Sequence, residues 1–129
     1  MAQRGLILDT GAVLAIMRRD RRAFAFLEIA YREGVPLVIP PVVVTQVIRG
    51  GPRDAEANRL FHNAYIPFVG ERLARAAGRL LAASELSDAA DAQVVAEAWR
   101  RAPSTILTSD PDDIRRLADG IAGIRIIAI

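Results

Sequence analysis

The stretch that decides the fold is GLILDTGAVLAI, residues 5–16, in which one short apolar run ends at an aspartate and a second apolar run follows. Residues 6–8 are consecutive aliphatic side chains, a pattern typical of a strand buried on both faces of a parallel sheet. Asp9 comes directly after them. A carboxylate beside buried aliphatic groups costs free energy unless a positive or hydrogen-bonding group meets it. The stretch therefore predicts a strand, a turn and a helix, with an acidic group at the strand's end.

The same alternation continues along the chain. Further short apolar runs predict strands at 37–39, 66–69 (the weakest), 105–107 and 124–127. Helical patterns lie around them at 12–19, 21–33, 41–49, 53–64, 71–84, 88–101 and 111–119. Alternating strands and helices predict an α/β, Rossmann-like domain over residues 1–129, with a short parallel sheet of about five strands flanked by helices. In such sheets a functional site lies beyond the carboxyl ends of the strands.

Composition narrows the functional classes. The chain lacks cysteine, so no disulfide or thiolate metal site is expected, and no apolar run approaches the length of a membrane span. We therefore expect a cytoplasmic protein without a membrane partner. All 17 basic residues are arginine, which excludes Schiff-base and P-loop chemistry that needs lysine. Arginine suits phosphate recognition, and the sequence pI near 9.9 favours a nucleic-acid partner.

Two aspartates follow predicted strands. Asp9 ends the first strand and Asp110 follows the strand at 105–107. Each has a structural alternative, because either could cap the helix that comes next. For Asp110 this alternative is supported by Pro111, which suits a first helical position, and by Asp113, which stands where a capping-box acid would. A cap can still bind a metal ion, since a carboxylate has two oxygens.

Two more aspartates lie in SDAADAQVVAEAW, residues 87–99. Asp91 begins an i, i+3, i+4, i+7 stripe with Val94, Val95 and Ala98, so it is expected to face inward with them. Ser87 can cap this helix, which leaves Asp91 without a capping role. Asp88 precedes Asp91 by three residues and lies on the same side. Solvation on an exposed helix face is the alternative for both acids.

These acids together predict a divalent-metal site. Asp9, Asp88, Asp91 and Asp110 could hold one or two Mg²⁺ ions, with Mn²⁺ able to substitute, because hard cations prefer oxygen ligands. One histidine and no cysteine supply a zinc site poorly. A divalent ion held by carboxylates activates water and stabilises the leaving oxygen when a phosphodiester is cleaved. Gln46, an amide among valines, either hydrogen-bonds the backbone or orients water there.

At this point the sequence resembles the PIN-domain family, and within it the VapC-type ribonuclease toxins of type II toxin–antitoxin systems. The segments that carry the resemblance are LILDTGAVLAI at 6–16, VVVTQVIRGG at 42–51, SDAADAQVVAEA at 87–98 and ILTSDPDDIRRLA at 106–118. The resemblance implies a PIN-like fold and Mg²⁺-dependent endoribonuclease activity on RNA. It also implies a small VapB-type antitoxin partner and a homodimer. It assigns metal-binding acids to Asp9, Asp91 and Asp110, and a nearby hydroxyl to Thr108 or Ser109.

The sequence departs from the family pattern at Gln46, where a glutamate is usual. If Asp88 supplies the missing charge, the protein is an active ribonuclease in which Gln46 and Thr108 position water or substrate. If nothing does, it is a catalytically impaired module that binds RNA or a protein without cleavage. A third interpretation, a phospho-accepting receiver domain, requires a lysine that the chain lacks.

Surface features also suggest partners. Arg72, Arg75 and Arg79 form a stripe along one helix that is either simply solvated or grips RNA phosphates. Trp99 is expected in the core or in a dimer seam. The first two helices carry more apolar surface than one sheet face needs, and the resemblance implies that such helices form a groove for the antitoxin.

Overall fold

The computed structural model describes residues 2–129. Its four strands are β1 (Leu6–Leu8), β2 (Leu37–Val38), β3 (Ser104–Thr108) and β4 (Ile124–Ala128). Its seven helices are α1 (Thr10–Met17), α2 (Arg21–Arg32), α3 (Pro41–Val47), α4 (Asp54–His62), α5 (Glu71–Ser84), α6 (Ala89–Arg100) and α7 (Pro111–Leu117). Most of these elements lie within a residue or two of the expected positions.

The strands form one parallel sheet in the order β2-β1-β3-β4. In the register, Leu6 is the partner of both Leu37 and Thr105, so β1 is a central strand. The side chains of residues 6–8 are buried, as their apolar run predicts. The expected α/β class with a parallel sheet flanked by helices is confirmed.

The prediction of a strand at 66–69 is wrong. Pairing starts one residue earlier, where Tyr65 forms an isolated parallel bridge to Val38. The Tyr65 amide donates to the Leu37 carbonyl at 2.7 Å, and the Ile39 amide donates to the Tyr65 carbonyl at 3.0 Å. Two residues further on, Pro67 has no amide hydrogen with which to extend the ladder, so the sheet has four strands and not five.

The core lies around the two central strands. Helices α1 and α6 both contact β1 and β3. Ile7, Leu8, Ile106 and Leu107 have no exposed surface, so the centre of the sheet is fully enclosed by the helices that cover it. No helix within residues 2–129 has the length and apolar character needed to cross a membrane.

Gly11 lets the two turns at the carboxyl edge of the sheet approach each other. A Cβ atom at Gly11 would lie 1.6 Å from Ser109 Oγ and 2.6 Å from Ser109 Cβ. Rotation of the serine hydroxyl would relieve only the first clash, so a larger residue would push the two turns apart. The β1–α1 turn and the β3–α7 turn are therefore packed closely enough to share one site.

Candidate metal centre

Asp9 leaves β1 and enters the site as the N-cap of α1. Its Oδ1 accepts a hydrogen bond of 2.8 Å from the Ala12 amide, and its Oδ2 accepts one from the Thr108 hydroxyl. Asp9 is only 2% exposed and Thr108 is fully buried. Asp9 is therefore both a cap and a fixed carboxylate, so the two interpretations of this residue are compatible.

Thr108 links the two acids that follow strands. Its hydroxyl donates to Asp9 and accepts a 2.8 Å hydrogen bond from the Asp110 amide. Because the hydroxyl is buried and committed to these two partners, Thr108 orients acids in this structure and is not placed to touch substrate. Asp110 stands at the N-cap position of α7, but its side chain makes no capping hydrogen bond. The exposed Asp110 carboxylate is thus available to a ligand.

Asp91 lies in the first turn of α6. Val94, Val95 and Ala98 on its stripe are buried, and Asp91 itself is half-buried at the end of that stripe. The capping residue of α6 is Asp88 and not Ser87: Asp88 Oδ1 accepts a 3.0 Å hydrogen bond from the Asp91 amide. A serine or an aspartate can cap a helix equally well, and the helix starts one residue later than Ser87 would require.

Three carboxylates meet most closely. Asp91, Asp110 and Asp113 each place one oxygen within 4.8 Å of the oxygens of the other two. Asp9 and Asp88 border this trio without belonging to it. The sequence interpretation gave Asp113 only a capping role. Its spacing of three residues from Asp110, on the same side of α7, is the signal by which it could have been included.

The electrostatics of these groups show that they share one environment. Burial raises the pKa of Asp91 to about 7, and the charges of Asp88, Asp110, Asp9 and Asp113 add to the effect in that order. Burial also raises the pKa of Asp9, although the bonds from Thr108 and from the Ala12 and Ser109 amides partly offset it. The pKa of Asp110 is raised by lost solvation and then by repulsion from the Asp113 carboxylate, and the nearby Asp113 amide partly offsets the rise. Nearby negative charge disfavours ionisation of each acid.

No basic side chain relieves this repulsion. Within residues 2–129, the seven salt bridges involve other acids, and none includes the members of the site, namely Asp9, Asp88, Asp91, Asp110 and Asp113. Oxygen donors from several carboxylates without a countercharge fit a hard divalent cation. The residues present therefore suit Mg²⁺ or Mn²⁺, with Asp91, Asp110 and Asp113 as the tightest set and Asp9 beside them.

Gln46 lies in the last turn of α3, and its side chain contacts the first residue of α1 beside the site. The Thr10 hydroxyl, next to Asp9 in the chain, donates to the side-chain carbonyl of Gln46. Gln46 is exposed, and its amide nitrogen has no hydrogen-bond partner within the described part of the chain. The alternative that Gln46 bonds the backbone is therefore not what the structure shows. Its NH₂ group is available to water or to an anionic ligand.

Comparison with known proteins agrees with this fold. No protein-family model matches the sequence, and no curated protein matches it. A chain from the crystal structure of VapBC2 from Rickettsia felis, bound to a DNA fragment from its promoter, aligns with a TM-score of 0.70 at 12% identity, over 97% of this chain and 98% of that chain. A chain of a toxin–antitoxin complex from Klebsiella pneumoniae aligns with a TM-score of 0.69 at 18% identity, over 96% and 99% of the two chains.

These alignments cover nearly the whole of each chain. The protein thus has a PIN-like α/β fold, which it shares with one chain of each of these two complexes. The resemblance carried by the four sequence segments is confirmed at the level of the fold.

The raised pKa of Asp91 predicts how stability depends on pH. Between its ordinary value of 3.8 and about 7 the folded protein binds more protons than the unfolded chain. The free energy of unfolding of the metal-free protein should therefore fall as pH rises through this window. Solvent screens part of the repulsion at this half-buried group, so we expect a loss on the order of 2 kcal/mol.

Urea unfolding in EDTA between pH 4 and pH 8 measures this loss. Asp91→Asn should flatten the decline, whereas Asp119→Asn, an equal charge change at an exposed position, should preserve it. A metal-free protein whose stability increases over this range would show that Asp91 is not strained in its charged form.

Proposed function

We propose that this protein is an Mg²⁺-dependent endoribonuclease and the toxin component of a toxin–antitoxin pair. The observation that carries the proposal is the convergence of aspartates, without any basic partner, at the carboxyl edge of a parallel sheet whose fold recurs in toxin–antitoxin complexes. Such a cluster is costly in the absence of a cation. A divalent ion held by carboxylates can support phosphodiester hydrolysis. The chain has no lysine and no phosphate-binding loop that would favour a different phosphate chemistry.

The residues divide the work as follows. Asp91, Asp110 and Asp113 would hold the ion, with Asp9 beside them and Asp88 adding negative charge from the α6 cap. When bound, the ion supplies an activated water and stabilises the charge that develops on the leaving oxygen. Thr108 fixes Asp9 and the Asp110 backbone relative to each other, so the acids are held before substrate arrives.

Gln46 would act on the substrate side of the site. Its carbonyl accepts a hydrogen bond from Thr10, which leaves the NH₂ group free to donate to another partner. An NH₂ donor next to a metal-held phosphodiester can bind a non-bridging oxygen or orient the attacking water. A glutamate at this position would instead add another negative charge.

The alternative function is a module that binds RNA or a protein without cleaving RNA. The specific observation in its favour is Gln46, because a neutral amide lowers the charge available to the ion. Asp113 weighs against it, since this additional carboxylate lies within 4.8 Å of the Asp91 and Asp110 oxygens and restores the negative charge that Gln46 removes.

Cleavage of single-stranded RNA tests the proposal. Purified protein freed of any partner should cut mixed-sequence RNA in Mg²⁺ or Mn²⁺ and stop in EDTA. Asp110→Asn should lower the rate by about 100-fold or more, since it removes a ligand charge from an exposed position while asparagine keeps an oxygen that can cap α7. The matched control Asp119→Asn should retain the wild-type rate. Folded protein that leaves RNA intact with both metals would favour the non-cleaving module.

Replacement of Gln46 tests the charge balance of the site. Gln46→Glu should bind Mn²⁺ more tightly, by roughly tenfold, because one more carboxylate lies at the edge of the acidic cluster. Isothermal titration calorimetry at pH 8 measures this change, with Gln93→Glu on α6 as a control that adds the same charge. Equal affinities for Mn²⁺ in Gln46→Glu and the wild type would place Gln46 outside the metal's surroundings.

The antitoxin partner would occupy a groove between α1, α2 and α4. This groove has a volume of about 410 Å³ and an apolar lining that includes Ile16, Phe24, Leu27 and Leu60. Arg19 and Glu56 form a 3.1 Å ion pair at its rim. An apolar segment with charged flanks would fit this surface. The expected homodimer rests on the family resemblance alone.

Coexpression with the small protein encoded by the adjacent reading frame tests the groove. Phe24, 38% exposed, presents its ring to the groove, so Phe24→Ser should weaken co-purification by roughly tenfold. Phe68→Ser, at a phenylalanine that is 84% exposed and lies outside this groove, is the matched control and should leave the complex intact. Loss of the complex in the control but not in Phe24→Ser would move the partner to another face.

A further inference from the structure

A second groove lies between α5 and α6, away from the acidic cluster. It has a volume of about 570 Å³ and is lined by Arg72, Leu73, Ala76, Arg79, Ala96, Trp99 and Arg100. The alanines of the two helices leave space along their contact, and the indole of Trp99 forms one wall. This volume falls within the range of roughly 300–1,000 Å³ typical of sites that hold small organic groups.

The aromatic wall of this groove is open to solvent. Trp99 is 47% exposed, so of its two expected places, the core and a dimer seam, it does not occupy the core. Its place explains the exposure: Trp99 follows the buried stripe of α6 and points toward α5 rather than toward the sheet. An exposed indole beside arginines offers a flat surface on which a nucleobase can stack.

The arginines of the groove are only partly neutralised. Arg75, on the neighbouring turn, pairs with Glu71 at 2.6 Å, and Arg100 pairs with the buried Glu97. Arg72 and Arg79 are exposed, and neither lies within salt-bridge distance of a carboxylate in residues 2–129. They lie seven residues apart on α5, two turns along the same face. The groove therefore presents two uncompensated guanidinium groups along one line.

A second copy of the chain fits this surface poorly. A two-fold interface sets the same patch against itself, so the arginines of one copy would face those of the other. The lining contains no acidic side chain to compensate. An anionic partner with planar groups satisfies both the charges and the indole, and single-stranded nucleic acid has both properties.

We propose that the α5–α6 groove binds single-stranded RNA outside the acidic cluster, with phosphates on Arg72 and Arg79 and a base stacked on Trp99. The inference rests on the proposed function, because it takes RNA as the ligand. Trp99 lies eight residues after Asp91 on α6, about 12 Å along the helix axis. The groove thus contacts a part of the strand other than the part that is cut.

Trp99 is the only tryptophan of the chain, so its fluorescence reports on this groove directly. The protein, freed of any partner and kept in EDTA to prevent cleavage, is titrated with a single-stranded RNA about 12 nucleotides long. Saturable quenching of Trp99 is expected. Arg72→Gln with Arg79→Gln should weaken binding about tenfold or more, and should reduce the slope of log affinity against log salt by about 1.4, or two phosphate contacts.

The control for charge is the double variant Arg32→Gln with Arg125→Gln, which removes two exposed arginines from α2 and β4. It should weaken binding far less. With labelled RNA and anisotropy as the readout, Trp99→Ala should also weaken binding about tenfold, whereas Trp99→Phe, which keeps a stacking ring, should remain close to wild type.

Absence of quenching, or equal losses in the two double arginine variants, would overturn the inference. So would a change in Trp99 emission that depends on protein concentration and not on RNA, because it would assign the face to a second copy. RNA cleavage in Mg²⁺ that is indifferent to these substitutions would leave the nuclease proposal standing and reject the groove. RNA binding at Trp99 by a protein that cleaves no RNA would support the groove and reject the nuclease proposal.

Discussion

The parallel pairing of β1 with β3 is the constraint on which the site depends. It brings Asp9 and Thr108, 99 positions apart in the sequence, into direct hydrogen-bonding contact at the sheet edge. The same threonine hydroxyl accepts a hydrogen bond from the Asp110 amide, so one buried group orients the residues at both strand ends. The absence of a side chain at Gly11 allows the two turns to approach this closely. Without this pairing the acids would belong to separate turns.

The fold holds several carboxylates close together, and a bound cation can relieve the resulting charge repulsion. Helix α6 points its first turn at the same edge, where burial, and then the charges of acidic neighbours, raise the pKa of the half-buried Asp91 to about 7. Packing of the α6 stripe against the core keeps Asp91 there despite the repulsion, because the apolar residues of that stripe are buried on the same face. The protein thus stabilises an arrangement that is unfavourable for its own charges and favourable for a cation. A divalent cation bound by these oxygens would relieve that repulsion.

Much of this could be predicted from the sequence, and the rest depends on information that local patterns do not carry. The stripe of α6 predicted the inward face of Asp91, because helical periodicity is local. Asp113 was missed as a member of the cluster: its spacing from Asp110 places both acids on one side of α7, but only the tertiary position of α7 shows that this side reaches Asp91. The strand expected at 66–69 is absent because Pro67 has no amide hydrogen to extend the ladder. The apolar composition on which that prediction was based does not report whether strand pairing can continue. Ser87 was expected to cap α6 in place of Asp88, a choice between equivalent capping residues that sequence does not decide.

A crystal grown with Mn²⁺ and measured for anomalous scattering tests the central claim most directly. The account predicts a peak at the carboxyl edge of the sheet, with oxygens of Asp91 and Asp110 at about 2.1 Å, the distance typical of small hard cations, and with Asp113 or Asp9 completing the protein ligands. A map without a peak at this edge, or with Mn²⁺ bound by other residues, would contradict the claim that these carboxylates form a metal centre.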